Sequence, residues 1–211
     1  MMNDADQQLP AGAPGDAMAR LGAALGAGKP GKGPPPVERW NPPFCGDIDM
    51  RIDAEGNWFY AGTPIGRPGL VKLFASVLRR DPERYVLVTP VERVGIAVAD
   101  VPFMAVEMAQ SGTGPDRQLA FRTNVDDLVD IGTDHPLRFE TDEAEGVKPY
   151  VLVRGGLWAR VTRALTYDLV DLGEEREVDG IATFGVAVAG AFYPIAPGGD
   201  LNLDQPEGTG A

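Results

Sequence analysis

The sequence predicts an α+β protein of two related units in tandem, each a mostly antiparallel sheet with one packed helix. Three observations predict it. A pattern met over residues 50–99 recurs over 137–189; stretches of alternating apolar and polar residues flank stretches with helical spacing; and an Ala, Gly and Pro-rich arm and an acidic tail bracket the apolar chain. The expected organisation is an arm over 1–39 that stays mobile, a first unit over 40–103, a second over 104–197, and a fraying tail over 198–211.

The repeat reads Met50-Arg51-Ile52-Asp53, Glu55-Gly56, Arg67-Pro68-Gly69-Leu70, Leu78 and Gly95-Ile96-Ala97-Val98-Ala99. Its second telling is Leu137-Arg138-Phe139-Glu140, Glu145-Gly146, Arg154-Gly155-Gly156-Leu157, Leu165 and Gly185-Val186-Ala187-Val188-Ala189. Drift between the copies falls in the turns, where a duplicated fold tolerates it.

With 211 residues and 44% hydrophobic content, the chain can fill one sizeable core or two small ones packed together. A formal net charge of -12 opposes general binding to nucleic acid or an anionic membrane, so neither is an expected partner, and any anion must meet a local cationic site. A single cysteine, Cys45, excludes an intrachain disulfide framework and fits a reducing cytoplasm. No stretch approaches the roughly 20 apolar residues of a membrane span. A soluble cytoplasmic protein is expected.

In the arm, residues 25–30 resemble a phosphate loop only superficially, since Ala23 stands where the first Gly belongs and Pro30 where Ser or Thr would meet magnesium. Asp47, Asp49, Arg51 and Asp53 alternate with Ile48, Met50 and Ile52, the period of a strand with one wet and one buried face. Residues 54–57 turn it, and 58–60 return as its partner. Pro68 suits a first helical turn, and Leu70, Leu73, Phe74, Val77 and Leu78 follow at helical spacing, with Arg79, Arg80 and Arg84 at the closing end.

Residues 85–89 and 94–99 read as a second hairpin, and 103–110, 119–123 and 128–131 as further strands. The second unit opens with a strand over 137–141, turns through 142–146 and returns along 150–154. Gly155-Gly156 then breaks it, and a helix is expected from Leu157 towards Leu172 with Val161, Ala164, Leu165 and Leu169 inward. Residues 181–195 supply the last strands, Gly-rich enough to suggest bulges or close backbone approach.

Several ordered motifs resemble a bacterial family, the domain-of-unknown-function family 1285. They are Cys45-Gly46-Asp47-Ile48-Asp49-Met50-Arg51-Ile52, Gly56-Asn57-Trp58, Thr63-Pro64-Ile65, Leu70-Val71-Lys72-Leu73-Phe74 and Val77-Leu78-Arg79-Arg80-Asp81. Further on stand Val88-Thr89-Pro90-Val91-Glu92, Thr123-Asn124-Val125, His135-Pro136-Leu137-Arg138 and Val153-Arg154-Gly155-Gly156-Leu157 with Ala159-Arg160. The resemblance implies a duplicated α+β core whose second unit is pleckstrin-homology-like. It also implies a binding site between the halves for a nucleotide-like ligand, and a part in signal transduction.

The repeat itself suggests a site. Arg67 and Arg154 each stand ahead of Gly-Leu at a predicted helix start, where unpaired N–H groups and the helix dipole attract anions and a guanidinium can grip phosphate. The plain alternative is a salt bridge to a neighbour such as Asp49 or Glu140. Arg51 and Arg138 repeat on polar strand faces, where cross-strand pairing with carboxylates is the default. Asp47, Asp49 and Asp53 lack calcium-loop spacing and read as a wet strand face rather than a metal site.

Cys45 reads as an inert buried thiol and His135, ahead of Pro136, as a hydrogen-bonded turn residue; no catalytic residue is assigned. Trp58, Tyr60, Tyr150 and Trp158 are core candidates, and Trp158, near Arg154 and Arg160, is the best placed to stack on a base. The expectation is a non-enzymatic regulator that needs no cofactor. Arg67, Arg154, Arg160, Asn124 and Glu92 would supply polar contacts to a small phosphorylated or nucleotide-like ligand, and Trp158 would stack. A protein-interaction module that docks a signalling partner is the alternative. A hydrolase using Cys45, His135 or the Asp47-Asp49 pair ranks last, since it shows no recognised signature.

Overall fold

The computed structural model describes residues 35–142 and 146–197. The phosphate-loop-like segment, most of the arm and the acidic tail lie outside the described residues. The chain divides into two units at Asp100/Val101.

The first unit begins not with a free arm but with a 3-10 turn, Val37–Arg39. Its carbonyl at Val37 and that of Trp40 accept from the buried Arg79 Nη1 at 2.9 and 2.7 Å. Residues 37–39, assigned to the arm from the sequence, thus carry a turn that a guanidinium holds through backbone oxygens which would otherwise favour water.

Strand β1, Phe44–Ile52, alternates as its sequence requires, with Met50 and Ile52 buried and Asp47, Asp49 and Arg51 exposed. Asp53 shapes the following turn, its Oδ1 accepting from the N–H groups of Glu55 and Asn57 at 3.0 and 2.8 Å. Strand β2, Trp58–Tyr60, returns antiparallel, and β3, Thr63–Pro64, adds a short edge.

Helix α1, Pro68–Ser76, starts with Pro in its first turn, and Phe74 stacks on Trp58 with ring centroids 6.3 Å apart. Both rings are buried, so Trp58 is core. The helix is shorter than its spacing predicted. Val77 ends it, and Leu78–Asp81 forms β4, turned through Pro82-Glu83 into β5, Arg84–Val88. Leu78, Arg79 and Arg80 thus belong to a strand and Arg84 to its partner, so none of these arginines caps the helix. Apolar residues at 77 and 78 serve a helix face and a buried strand equally well, and the non-local sheet decides.

Strand β6, Arg93–Val98, completes the sheet in the order β3-β2-β1-β6-β5-β4. Only the central β1/β6 pair is parallel.

In the second unit the strands are β7, Phe103–Ser111; β8, Gln118–Thr123; β9, Leu128–Asp130; β10, Leu137–Asp142; β11, Gly146–Arg154; and β12, Leu157–Val161. Their order is β10-β11-β12-β7-β8-β9, again with one parallel pair, β7/β12, at the centre. Two three-stranded meanders joined by a parallel seam make both sheets.

The duplication is thus real in topology, but its register is corrected. Met50 lies in central β1, whose counterpart is β7, whereas Leu137 lies in edge strand β10. Residues 185–188 belong to a separate three-stranded sheet, β13 (Glu174–Val178), β14 (Ile181–Val188) and β15 (Ala191–Pro197). Alternating strands resemble one another at many offsets, which is why the sequence match misaligned them.

The helix expected from Leu157 is also corrected. Gly155 and Gly156 have φ of +47° and +75°, the left-handed pair of a two-residue hairpin turn, so the chain reverses along β11 instead of entering a helix. Leu157, Ala159 and Val161 are buried in alternation. Helix α2 is Arg163–Val170, with Leu169 and Val170 buried but Ala164 exposed. Each unit is α+β, with an antiparallel-dominated six-stranded sheet and one helix, and the second unit adds the three-stranded sheet.

Candidate functional site

Two arrangements of charge and aromatic surface stand out, one in each unit. On the second unit's sheet, cross-strand register places Arg138 of β10 opposite Tyr150 of β11, and Tyr150 opposite Arg160 of β12. Trp158 sits two residues from Arg160 along β12 and therefore on the same face. The Arg138 guanidinium covers both rings, 4.7 Å from the Tyr150 centroid and 4.5 Å from that of Trp158. It also reaches Glu140 at 3.3 Å. Tyr150 is buried beneath it, while Trp158 and Arg160 stay half-exposed. A sheet face that pairs guanidinium groups with an accessible indole can hold a flat ring and an anionic group together.

The sequence-predicted residues distribute unevenly around this face. Trp158 and Arg160 share it. Arg154, far from starting a helix, ends β11 at the glycine turn, where it pairs with Asp127 and lies 5.0 Å from the Phe103 centroid. Asn124 is a bridging residue, its Oδ1 accepting from Met104 N–H at 3.1 Å and its own N–H donating to Met104 O at 2.8 Å.

Arg67 and Glu92 belong to the first unit. Arg67 is the exposed N-cap of α1, extended and without a side-chain cap bond, and Glu92 closes the turn from Thr89, whose Oγ1 accepts from Glu92 N–H at 3.1 Å. The symmetry proposed for Arg67 and Arg154 is therefore absent: one stands at a helix and the other at a hairpin.

Other assignments resolve similarly. Arg51 lies over Phe59 at 3.8 Å rather than against a carboxylate. His135 Nδ1 is 3.0 Å from Leu152 O, a hydrogen bond to β11 rather than one within its own turn. Cys45 is exposed rather than buried, its Sγ 3.7 Å from Pro43 O. Among the described residues no three acidic, His or Cys side chains gather as a metal site. No helix among them is long and apolar enough to cross a membrane.

The second arrangement went unnoticed in the sequence. A cleft of about 410 Å³ in the first unit is lined by Phe44, Asp81, Pro82, Glu83, Arg84 and Arg93. Phe44 and Arg93 are Cα partners at the start of the parallel β1/β6 seam, and the β4–β5 turn supplies the rest. The Arg84 and Arg93 guanidinium carbons lie 4.8 and 5.9 Å from the Phe44 centroid. Arg93 Nη1 donates to Asp81 Oδ2 at 2.9 Å, and Arg79 Nε to Asp81 Oδ1 at 2.8 Å. Arg93 Nε is buried and lacks a hydrogen-bond partner among the described residues. The only signal in the sequence was an aromatic residue ahead of the alternating strand, with an arginine just before each strand of the second hairpin.

Comparison with known proteins gives a family but no activity. Residues 35–101 match the model described as "Domain of unknown function (DUF1285), N-terminal domain", and residues 102–195 match "Protein of unknown function (DUF1285), C-terminal domain". None of the curated proteins matches. The crystal structure of a DUF1285 family protein from Silicibacter pomeroyi DSS-3 is 48% identical, with a TM-score of 0.75 over 84% of this chain and 94% of that one. One from Shewanella baltica OS155 is 28% identical, with a TM-score of 0.47 over 59% of this chain and 91% of its own. Both family models together span nearly all the described residues, and the chain belongs to the DUF1285 family.

Proposed function

We propose that this chain is a non-enzymatic regulatory protein of bacterial signal transduction that binds a small phosphorylated, nucleotide-like molecule on the sheet face of its second unit. The observation that supports the reading is the row Arg138, Tyr150 and Arg160 with Trp158 beside it. An accessible indole offers a π-surface to a base, and guanidinium groups on the same face offer charge-assisted hydrogen bonds to phosphate. In a chain of net charge -12, such a local concentration of cations is where an anion meets a favourable field. Arg154, engaged by Asp127, positions the neighbouring turn rather than the ligand.

Thermal unfolding against a panel of nucleoside mono-, di- and triphosphates and cyclic nucleotides tests the proposal. A ligand at about a hundredfold over its Kd adds roughly 2.7 kcal/mol, which is read as a raised Tm. Trp158→Leu and Arg160→Gln should each remove the shift. A panel without any shift, or shifts unaltered in both variants, defeats the reading.

A further inference from the structure

Strand β13 closes the three-stranded sheet on one side, and among the described residues no strand pairs with its outer edge. We propose that this edge docks a basic, extended peptide segment of another protein, which adds to the sheet as a fourth, antiparallel strand.

The hairpin turn fixes which backbone groups the edge offers. Asp179 and Gly180 carry φ of +53° and +81°, the left-handed pair of a two-residue turn, so the flanking Val178 and Ile181 exchange hydrogen bonds. Hydrogen-bonded pairs alternate along an antiparallel ladder, so Arg176 and Glu174 also face β14. The N–H and C=O groups of Glu175 and Glu177 therefore point outward. They are the groups an added strand engages.

Side chains then select the occupant. Residues 175–182 are all exposed, so this end of the hairpin is open to a partner on its edge and on both faces. Glu174 pairs with Arg176, but the carboxylates of Glu175 and Glu177 have no ion-pair partner among the described residues. They share one face, and an incoming strand sets its own alternate side chains directly opposite them. Lysine or arginine at those two places meets both charges. On the other face Val178 and Ile181, 37% and 59% exposed, make an apolar pair at the tip, which an aliphatic residue opposite Val178 would extend. Antiparallel addition thus favours the order aliphatic, basic, any residue, basic.

A second copy of this chain fits the same edge badly. Full antiparallel overlap of two β13 strands sets Glu175 opposite Glu177 and Arg176 opposite Arg176, and a shift by two residues sets a glutamate opposite itself. The charges that keep copies apart are the ones that favour a basic guest.

Fluorescence anisotropy of the full chain with a labelled Thr-Val-Lys-Thr-Lys-Thr peptide tests the proposal. Controls are the same peptide with glutamate for lysine, and one N-methylated at both lysine amides, which keeps its charge but cannot complete the ladder. The lysine peptide should bind saturably and the glutamate peptide should not, while N-methylation should weaken binding by about tenfold or more. Glu177→Pro removes an outward N–H where an edge strand tolerates proline, and should weaken binding more than Glu177→Gln, which removes the charge alone. Thermal unfolding checks the fold of each variant. Absence of binding by the lysine peptide overturns the proposal, as does equal binding of the N-methylated peptide or undiminished binding to Glu177→Pro. Sedimentation showing a dimer that Glu177→Pro dissociates would assign the edge to a second copy and overturn it too.

Discussion

Arg79 Nε donates to Asp81 Oδ1 at 2.8 Å from a side chain only 9% exposed, while its Nη1 holds two backbone carbonyls of the entering chain. One guanidinium thereby satisfies a carboxylate and docks the Val37–Arg39 turn. Arg79→Ala should cost about 2 to 3 kcal/mol, below the usual penalty for breaking a buried pair because Asp81 keeps Arg93. Urea denaturation measures the loss. Limited proteolysis should show faster cleavage near Trp40 in the same variant, and equal cleavage would contradict the docking role.

The glycine hairpin makes a second prediction. Gly155→Val forces a β-branched residue into a φ of +47° and should destabilise the second unit by about 1 to 2 kcal/mol. Ala189 already carries a φ of +52° in the turn between β14 and β15. Ala189→Asn should recover up to about 1 kcal/mol, since Asn tolerates that region better. Paired thermal melts should move in opposite directions.

A methyl group at Gly95 would meet Asp47 Oδ1 at 1.9 Å and the Phe44 ring at 3.6 Å. The Asp47 side chain is 73% exposed and can swing aside, at the cost of its weak contact with Arg84. Gly95→Ala should therefore change stability by no more than about 0.5 kcal/mol. A larger loss, relieved by adding Asp47→Ala, would mean that the carboxylate is fixed in place.

Acid sensitivity should be traceable to Glu107. Its hydrogen bonds from Arg122, including Nε to Oε2 at 2.7 Å, hold its carboxyl below the ordinary value of 4.5 and raise the guanidinium in turn. A depressed folded-state pKa contributes stability that is present above the unfolded value and is lost as pH falls through the folded one. Stability should thus decline below about pH 4.5, and Glu107→Gln should flatten that decline. Because Glu107 is exposed and Arg122 half-exposed, added salt should shrink the difference between the two proteins. Denaturation midpoints from roughly pH 2.5 to about 6 measure both effects.

Local pattern made much of the fold legible. The alternation from Asp47 to Asp53 located β1 and its buried face, and Pro68 with Phe74 located α1. Trouble arose where two periods fit the same letters. Leu157, Ala159 and Val161 satisfy strand alternation, yet Leu157, Val161, Ala164 and Leu165 satisfy a helix, and only the backbone of Gly155-Gly156 decides between them. Of the candidate residues, Trp158 and Arg160 fall on one face because strand spacing brings them there. The cleft was illegible because Phe44 and Arg93 become neighbours only through the parallel β1/β6 pairing, which leaves no mark on either local sequence.

That seam carries a further consequence, for the order of events at the ribosome. The opening strand of each sheet leaves the exit tunnel well before the strand it must adjoin in parallel, so β1 waits for β6 and β7 for β12. Until then each sheet can exist only as separate halves with an unzipped apolar margin. The interval before Val98, and later Val161, emerges is when the nascent chain is most open to a chaperone or to another copy of itself.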